Sequence, residues 1–178
     1  MPMEGPAYTQ LIPFAELAPG QAGAIRNEVI RSLIQQAISA LKLAPGKLVV
    51  RDIRPAGDLD FGTEDWGETT GATTGAYETM STGTMASDRF VGIYGIKDNS
   101  ETPSVSALRF TIGGGERVIW VLQDLNEEQG KVGFCPTAVI IPPVTTYTIS
   151  RYVISATSTS VLVLKGVVVE PRGKVVSP

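Results

Sequence analysis

From Val105 to Pro171 the chain is a succession of short apolar runs separated by turn signals, and this constrains the fold more than any other feature. Residues 105–112 and 116–122 flank Gly113-Gly114-Gly115. Residues 138–141 stop at Pro142-Pro143, and residues 145–155 and 161–170 flank a Ser/Thr turn. Runs of this length, rich in β-branched residues and bounded by Gly or Pro, predict strands, and strands at this spacing predict a sandwich or barrel. In Leu108-Arg109-Phe110-Thr111-Ile112 apolar and polar residues alternate, so one face is buried. Residues 118–122 and 161–169 are apolar on both faces. They are central strands of a doubly covered sheet, or strands facing another subunit.

The chain upstream divides into four pieces, followed by a predicted strand at residues 89–96 and a turn cluster at 97–100. Residues 1–20 form an arm. Pro2, Pro6, Pro13 and Pro19 prevent a continuous helix, because proline lacks an N–H and restricts the residue before it. Tyr8, Leu11, Ile12, Phe14 and Leu17 need cover, either on the chain's own domain or along a neighbouring subunit. Residues 21–43 predict an amphipathic helix: Ile25, Val29, Leu33, Ala37 and Leu41 recur at i+4, and Ala44-Pro45-Gly46 ends the pattern. Residues 47–55 predict a strand closed by Pro55. Residues 56–88 are Thr/Gly-rich and too long for an ordinary connection. Phe61, Trp66, Tyr77, Met80 and Met85 are spaced along them, and large apolar groups on a low-complexity loop require a surface. The loop therefore predicts an extended arm or long β-hairpin ordered in an assembly, the alternative being an insertion folded over its own barrel.

The chain contains no histidine, which removes His-based triads and the commonest metal ligand. The net charge is -3, without the basic surplus of a nucleic-acid binder. Cys135 is the lone cysteine and reads as a core residue. No apolar run approaches the ~18 residues of a membrane span, and the start lacks a signal-peptide pattern, so a cytoplasmic setting is expected. Asp58, Asp60, Glu64, Asp65 and Glu68 offer hard-cation oxygens but fit no EF-hand loop, and read as a solvated acidic loop. Glu127-Glu128 before Gln129-Gly130 reads as a polar hairpin tip, not an acid/base pair. No catalytic, cofactor or metal site is expected.

The block TAVIIPPVTTYTISRYVISATSTSVLVLKGVVVEPRGKVVS, residues 137–177, is similar to the end of jelly-roll decoration (cement) proteins of tailed bacteriophage capsids. The resemblance implies a non-enzymatic protein on the virion surface, assembled in the host cytoplasm. Such a protein is usually a homotrimer and stabilises the shell by bridging major capsid protein subunits, without nucleic acid or membrane. The expected fold is mainly β: a jelly-roll-like β-sandwich over residues 47–178, with an N-terminal arm and helix over 1–46 and the extended loop at 56–88. The arm and loop carry the partner-binding expectation, with Phe14, Phe61, Trp66, Tyr77 and Met80 as anchors. Other classes remain open: a phage tail or neck component, or a carbohydrate- or ligand-binding sandwich. The latter would need Trp66, Tyr77 or Trp120 exposed together on one face.

Overall fold

The computed structural model describes residues 7–127 and 130–173. The elements in order are β1 (Ala7–Gln10), β2 (Ile12–Pro13), α1 (Gln21–Leu41), β3 (Leu48–Asp52), α2 (Pro55–Leu59), β4 (Gly67–Thr69), β5 (Ala76–Thr84), β6 (Phe90–Asp98), β7 (Val105–Ile112), β8 (Gly115–Val121), β9 (Val132–Ile141), β10 (Thr146–Val153) and β11 (Thr159–Pro171). The chain is mainly β, with two sheets in a sandwich-like arrangement. One sheet has the order β1-β8-β7-β10-β5. The other has the order β2-β9-β6-β11-β3, with β4 also paired to β11.

The long strands pair as a nested set. β7 pairs antiparallel with β8, β6 with β9, β5 with β10 and β3 with β11. Each pair encloses the next in sequence, so the chain resembles a long hairpin rolled onto itself. The innermost turn is Gly113-Gly114, both at positive φ (62° and 81°), the conformation a two-residue hairpin turn requires.

Between the sheets lies one apolar core, containing Trp120, Phe110, Leu108, Ile149, Ile93 and Leu162. A second core lies under α1. Val29, Leu33 and Ala37, one residue per helical turn, are its buried row. They belong to a cluster with Phe90, Tyr94, Val167, Val169 and Leu48. Gly92 on β6 permits this approach: a Cβ there would lie 2.6 Å from Val29 Cγ1 and 3.1 Å from Leu33 Cδ1. At its C-terminal half β11 is thus apolar on both faces because the inter-sheet core covers Val168 and the chain's own helix covers Val167 and Val169, whereas Val161 and Val163 are half-buried and belong to neither cluster.

Several boundaries differ from expectation. β3 ends at Asp52, and Pro55 opens α2, where a missing N–H costs nothing. The arm adds strands to both sheets: β1 runs parallel to β8, β2 antiparallel to β9, and Leu11 joins the inter-sheet core. The largest difference is at 56–88. This segment is no detached arm, since it supplies α2, β4 and all of β5, and β5 pairs with the full length of β10. Threonine's β-propensity outweighs the flexibility implied by a Thr/Gly composition once a strand partner is available. The expected tip at Glu128-Gln129 lies outside the described residues.

Candidate functional site

The five expected anchors do not form one surface. Phe61 and Met80 are buried in the inter-sheet core, so they are occupied by the chain's own fold. Phe61 follows α2 directly, and Met80 is the extra residue of a bulge, since Ile149 faces Ser81 while Ser150 faces Thr79. Trp66 packs against that core, edge-on to Phe61 at 5.0 Å between ring centroids. Tyr77 packs edge-on to Tyr152 at 5.2 Å, with the Arg109 guanidinium 4.1 Å from its ring centre. Phe14 alone of the five projects outward, 59% exposed. Trp120 is fully buried against Phe110. The three candidate sugar platforms therefore share no face.

The acidic residues of the loop also diverge. Asp58 joins Glu170 in a buried ring with Arg51 and Arg89. Arg51 donates through Nη1 and Nη2 to Asp58 at 2.6 and 2.7 Å, and through Nε to Glu170 at 2.8 Å. Arg89 Nη1 lies 3.0 Å from Asp58, and Arg89 Nε donates to Glu170 at 3.0 Å. The ring ties β3, α2, β11 and the start of β6 together, and its carboxylates raise the Arg51 pKa further. Asp65 accepts from the Gly67 N–H at 3.0 Å, and that bond lowers its pKa. Glu68 faces Arg151 at 3.5 Å, and Arg151 also binds Glu78 through Nε at 2.5 Å and the Thr69 carbonyl at 2.9 Å. Burial nevertheless pushes Glu68 up, despite the pull of Arg151. Among the described residues no group of three or more His, Cys, Asp or Glu could hold a metal ion, and no helix is long and apolar enough to cross a membrane.

A feature that sequence reasoning passed over lies at the β9–β10 turn. Val144 has φ +56° and is 68% exposed. The left-handed region costs an L-residue roughly 1–2 kcal/mol, and for a β-branched side chain it is an outlier. The turn is firmly held. Val144 N–H donates to the Met85 carbonyl and Met85 N–H to the Thr145 carbonyl, each at 3.0 Å. Gly113 N–H donates to the Thr146 carbonyl at 2.8 Å. Beside the turn is a hollow of about 300 Å³ lined in part by Thr82, Thr84, Thr111, Thr146 and Thr148. Thr82, Thr148 and Thr111 stand in one cross-strand row. The sequence signals the turn through Pro142-Pro143, but the sign of φ at the next residue is set by tertiary hydrogen bonds.

Neither a protein-family model nor a characterised protein matches the sequence.

Proposed function

We propose that this chain is a non-enzymatic structural protein that binds the outside of a bacteriophage capsid and stabilises it by bridging major capsid protein subunits. The nested strand pairing carries the reading. The pairing of β3 with β11, β5 with β10, β6 with β9 and β7 with β8 supports a jelly-roll reading of the sandwich, and viral capsid domains are among the users of that architecture. The resemblance at residues 137–177 falls on β9, β10 and β11 of this set. The rest of the surface agrees with a protein that holds rather than converts. The buried Asp58, Glu170 and Arg151 are held in internal ion pairs, and the exposed large apolar side chains, Tyr8, Phe14, Val144 and Ile154, suit contacts between proteins.

A homotrimer is part of the proposal. The flank of α1 carrying Ile30, Ile34 and Ile38 is only half-buried against the second core and suits a subunit contact. The test is co-sedimentation of the purified chain with empty shells of the major capsid protein from the same virus. Binding at micromolar concentration, with a rise in the temperature at which shells rupture, is expected. Absence of binding overturns the proposal, and a monomer in light scattering overturns the trimer.

A further inference from the structure

Among the described residues four charged side chains are buried: Asp58, Asp98, Arg151 and Glu170. Asp58 and Glu170 each meet Arg51 and Arg89, and Arg151 meets Glu68 and Glu78. Asp98, 5% exposed, pairs with no described Lys or Arg. Its Oδ1 accepts from the Ser100 N–H at 2.8 Å, and its Oδ2 is buried with no hydrogen-bond partner. A buried carboxylate without a counter-charge is costly, so Asp98 departs from the rule its three counterparts obey. Its surroundings offer further oxygens. Asp98 stands opposite Leu162 across β6 and β11, and Leu162 lies in the inter-sheet core. Ser160, two residues earlier on β11, shares that inner face, roughly 7–8 Å from Asp98 between backbones, as diagonal neighbours are. Its Oγ is also buried and unpartnered. The connection 99–104 crosses from β6 in one sheet to β7 in the other and closes this end of the sandwich. It finishes in Ser104, whose Oγ is buried and unpartnered as well.

We propose that this end of the sandwich binds a calcium ion, with Asp98 as the buried charged ligand, Ser160 as a hydroxyl ligand and Glu101 as a second carboxylate at the mouth. The proposal is independent of the capsid reading. Beside the buried groups is a hollow of about 520 Å³. Of the side chains lining it, all but Val161 carry an oxygen, and none is Lys or Arg. Ser100 joins the two parts: it lines the hollow, and its N–H binds Asp98. Lys131 Nζ is directed instead to the Ser100 carbonyl, at 3.2 Å. A lining of oxygens around one unpaired carboxylate suits a hard cation. A water molecule could satisfy the hydrogen bonds there but would leave the charge unmatched. Calcium takes six to eight oxygens in a flexible shell that water and carbonyl groups can complete, whereas magnesium demands near-ideal octahedral geometry. Two carboxylates therefore suffice for calcium, at the weak end of its range, with a Kd of about 0.1–1 mM. The bound ion would tie the 99–104 connection to β11.

The experiment compares wild type, Asp98→Asn and Glu101→Gln, each as the full chain, by thermal melting in chelator, calcium or magnesium and by calcium titration calorimetry. In about 10 mM calcium the wild type is expected to melt about 3–10 °C higher than in chelator, with a smaller shift in magnesium. Asp98→Asn keeps the shape and removes the unpaired charge. It is expected to melt no lower than wild type in chelator and to lose the calcium shift. Glu101 is exposed, so Glu101→Gln is expected to fold as wild type and to bind calcium about tenfold more weakly. Should Asp98→Asn fail to fold, Glu101→Gln carries the test. A wild type with no calcium shift, or with an equal shift in magnesium, would overturn the proposal and leave Asp98 solvated by water alone. Calcium binding retained by Asp98→Asn, or by Glu101→Gln within about threefold of wild type, would overturn it as well.

Discussion

Replacing Glu170 with Gln tests the buried ion ring at its most enclosed member. Glu170 is 2% exposed. Its Oε1 accepts from Arg51 Nε at 2.8 Å and its Oε2 from Arg89 Nε at 3.0 Å. Glutamine keeps the shape but turns one acceptor into a donor facing a guanidinium. Asp58 is then left as the ring's one carboxylate against two cations. Hydrogen bonds to charged groups contribute about 1.5–3 kcal/mol each, and breaking a buried pair from one side costs about 3–5 kcal/mol. The guanidinium side chains keep 16% and 20% exposure, so water reaches them and the lower end applies. The expected loss is about 3 kcal/mol, or about 6–12 °C in Tm for a chain of this length. Urea unfolding and calorimetry would measure it. As control, Glu28→Gln breaks the exposed Glu28–Arg31 pair and should leave Tm unchanged, as surface pairs do. A loss below about 1 kcal/mol for Glu170→Gln, the range of a surface pair, would refute the view that this ring is desolvated and structural.

Burial and the neighbouring Asp60 push the Tyr147 hydroxyl up to about 12. An unfolded tyrosine ionises near 10 while the folded one still holds its proton. Stability should therefore fall as pH rises from about 10 to about 12, by about 2–3 kcal/mol, and Tyr147→Phe should remove that part of the alkaline slope in unfolding titrations. Glu68 is also held above its ordinary value, chiefly by burial, so the folded state binds its proton more tightly and stability declines as pH rises above the carboxylate range. Glu68→Gln should be no less stable than wild type at pH 7 and give a flatter curve of urea midpoint against pH. Gly92→Ala would place a methyl 2.6 Å from Val29 Cγ1, and calorimetry should show a loss of about 1–3 kcal/mol, the range for overpacking.

The sequence made part of this architecture legible, and the limits have physical causes. The strands from Val105 onward follow from apolar runs and turn residues, and the Gly113-Gly114 hairpin from the need for positive φ. Residues 56–88 were misleading because composition reports flexibility of an isolated segment, whereas β5 is specified by its partner β10. Phe61 and Met80 announced that the segment must bury something, but not in which core. The buried ring was invisible because Arg89 and Glu170 lie far in sequence from Arg51 and Asp58, and each of the four reads as an ordinary surface charge. The doubly apolar β11 left two explanations open, and deciding between them required knowing where α1 lies.

The ion ring and the Val144 turn are linked through one connection. Arg89 stands between β5 and β6, and its N–H donates to the Ala86 carbonyl at 3.2 Å. Met85, four residues earlier, is the backbone partner of both Val144 and Thr145, and its side chain is buried in the inter-sheet core. The ring also binds this connection to α2, since Arg89 Nη1 donates to the Gly57 carbonyl at 3.0 Å. The platform behind Val144 is therefore fixed by core packing at Met85 and by buried ion pairs at Arg89, while the two prolines restrict the approach from β9. A strained exposed residue persists only where its surroundings over-determine it. Here three independent restraints converge on a single turn, so relaxing Val144 toward ordinary φ would require moving a core methionine or breaking backbone bonds to it. That is why the strain is retained locally rather than dispersed.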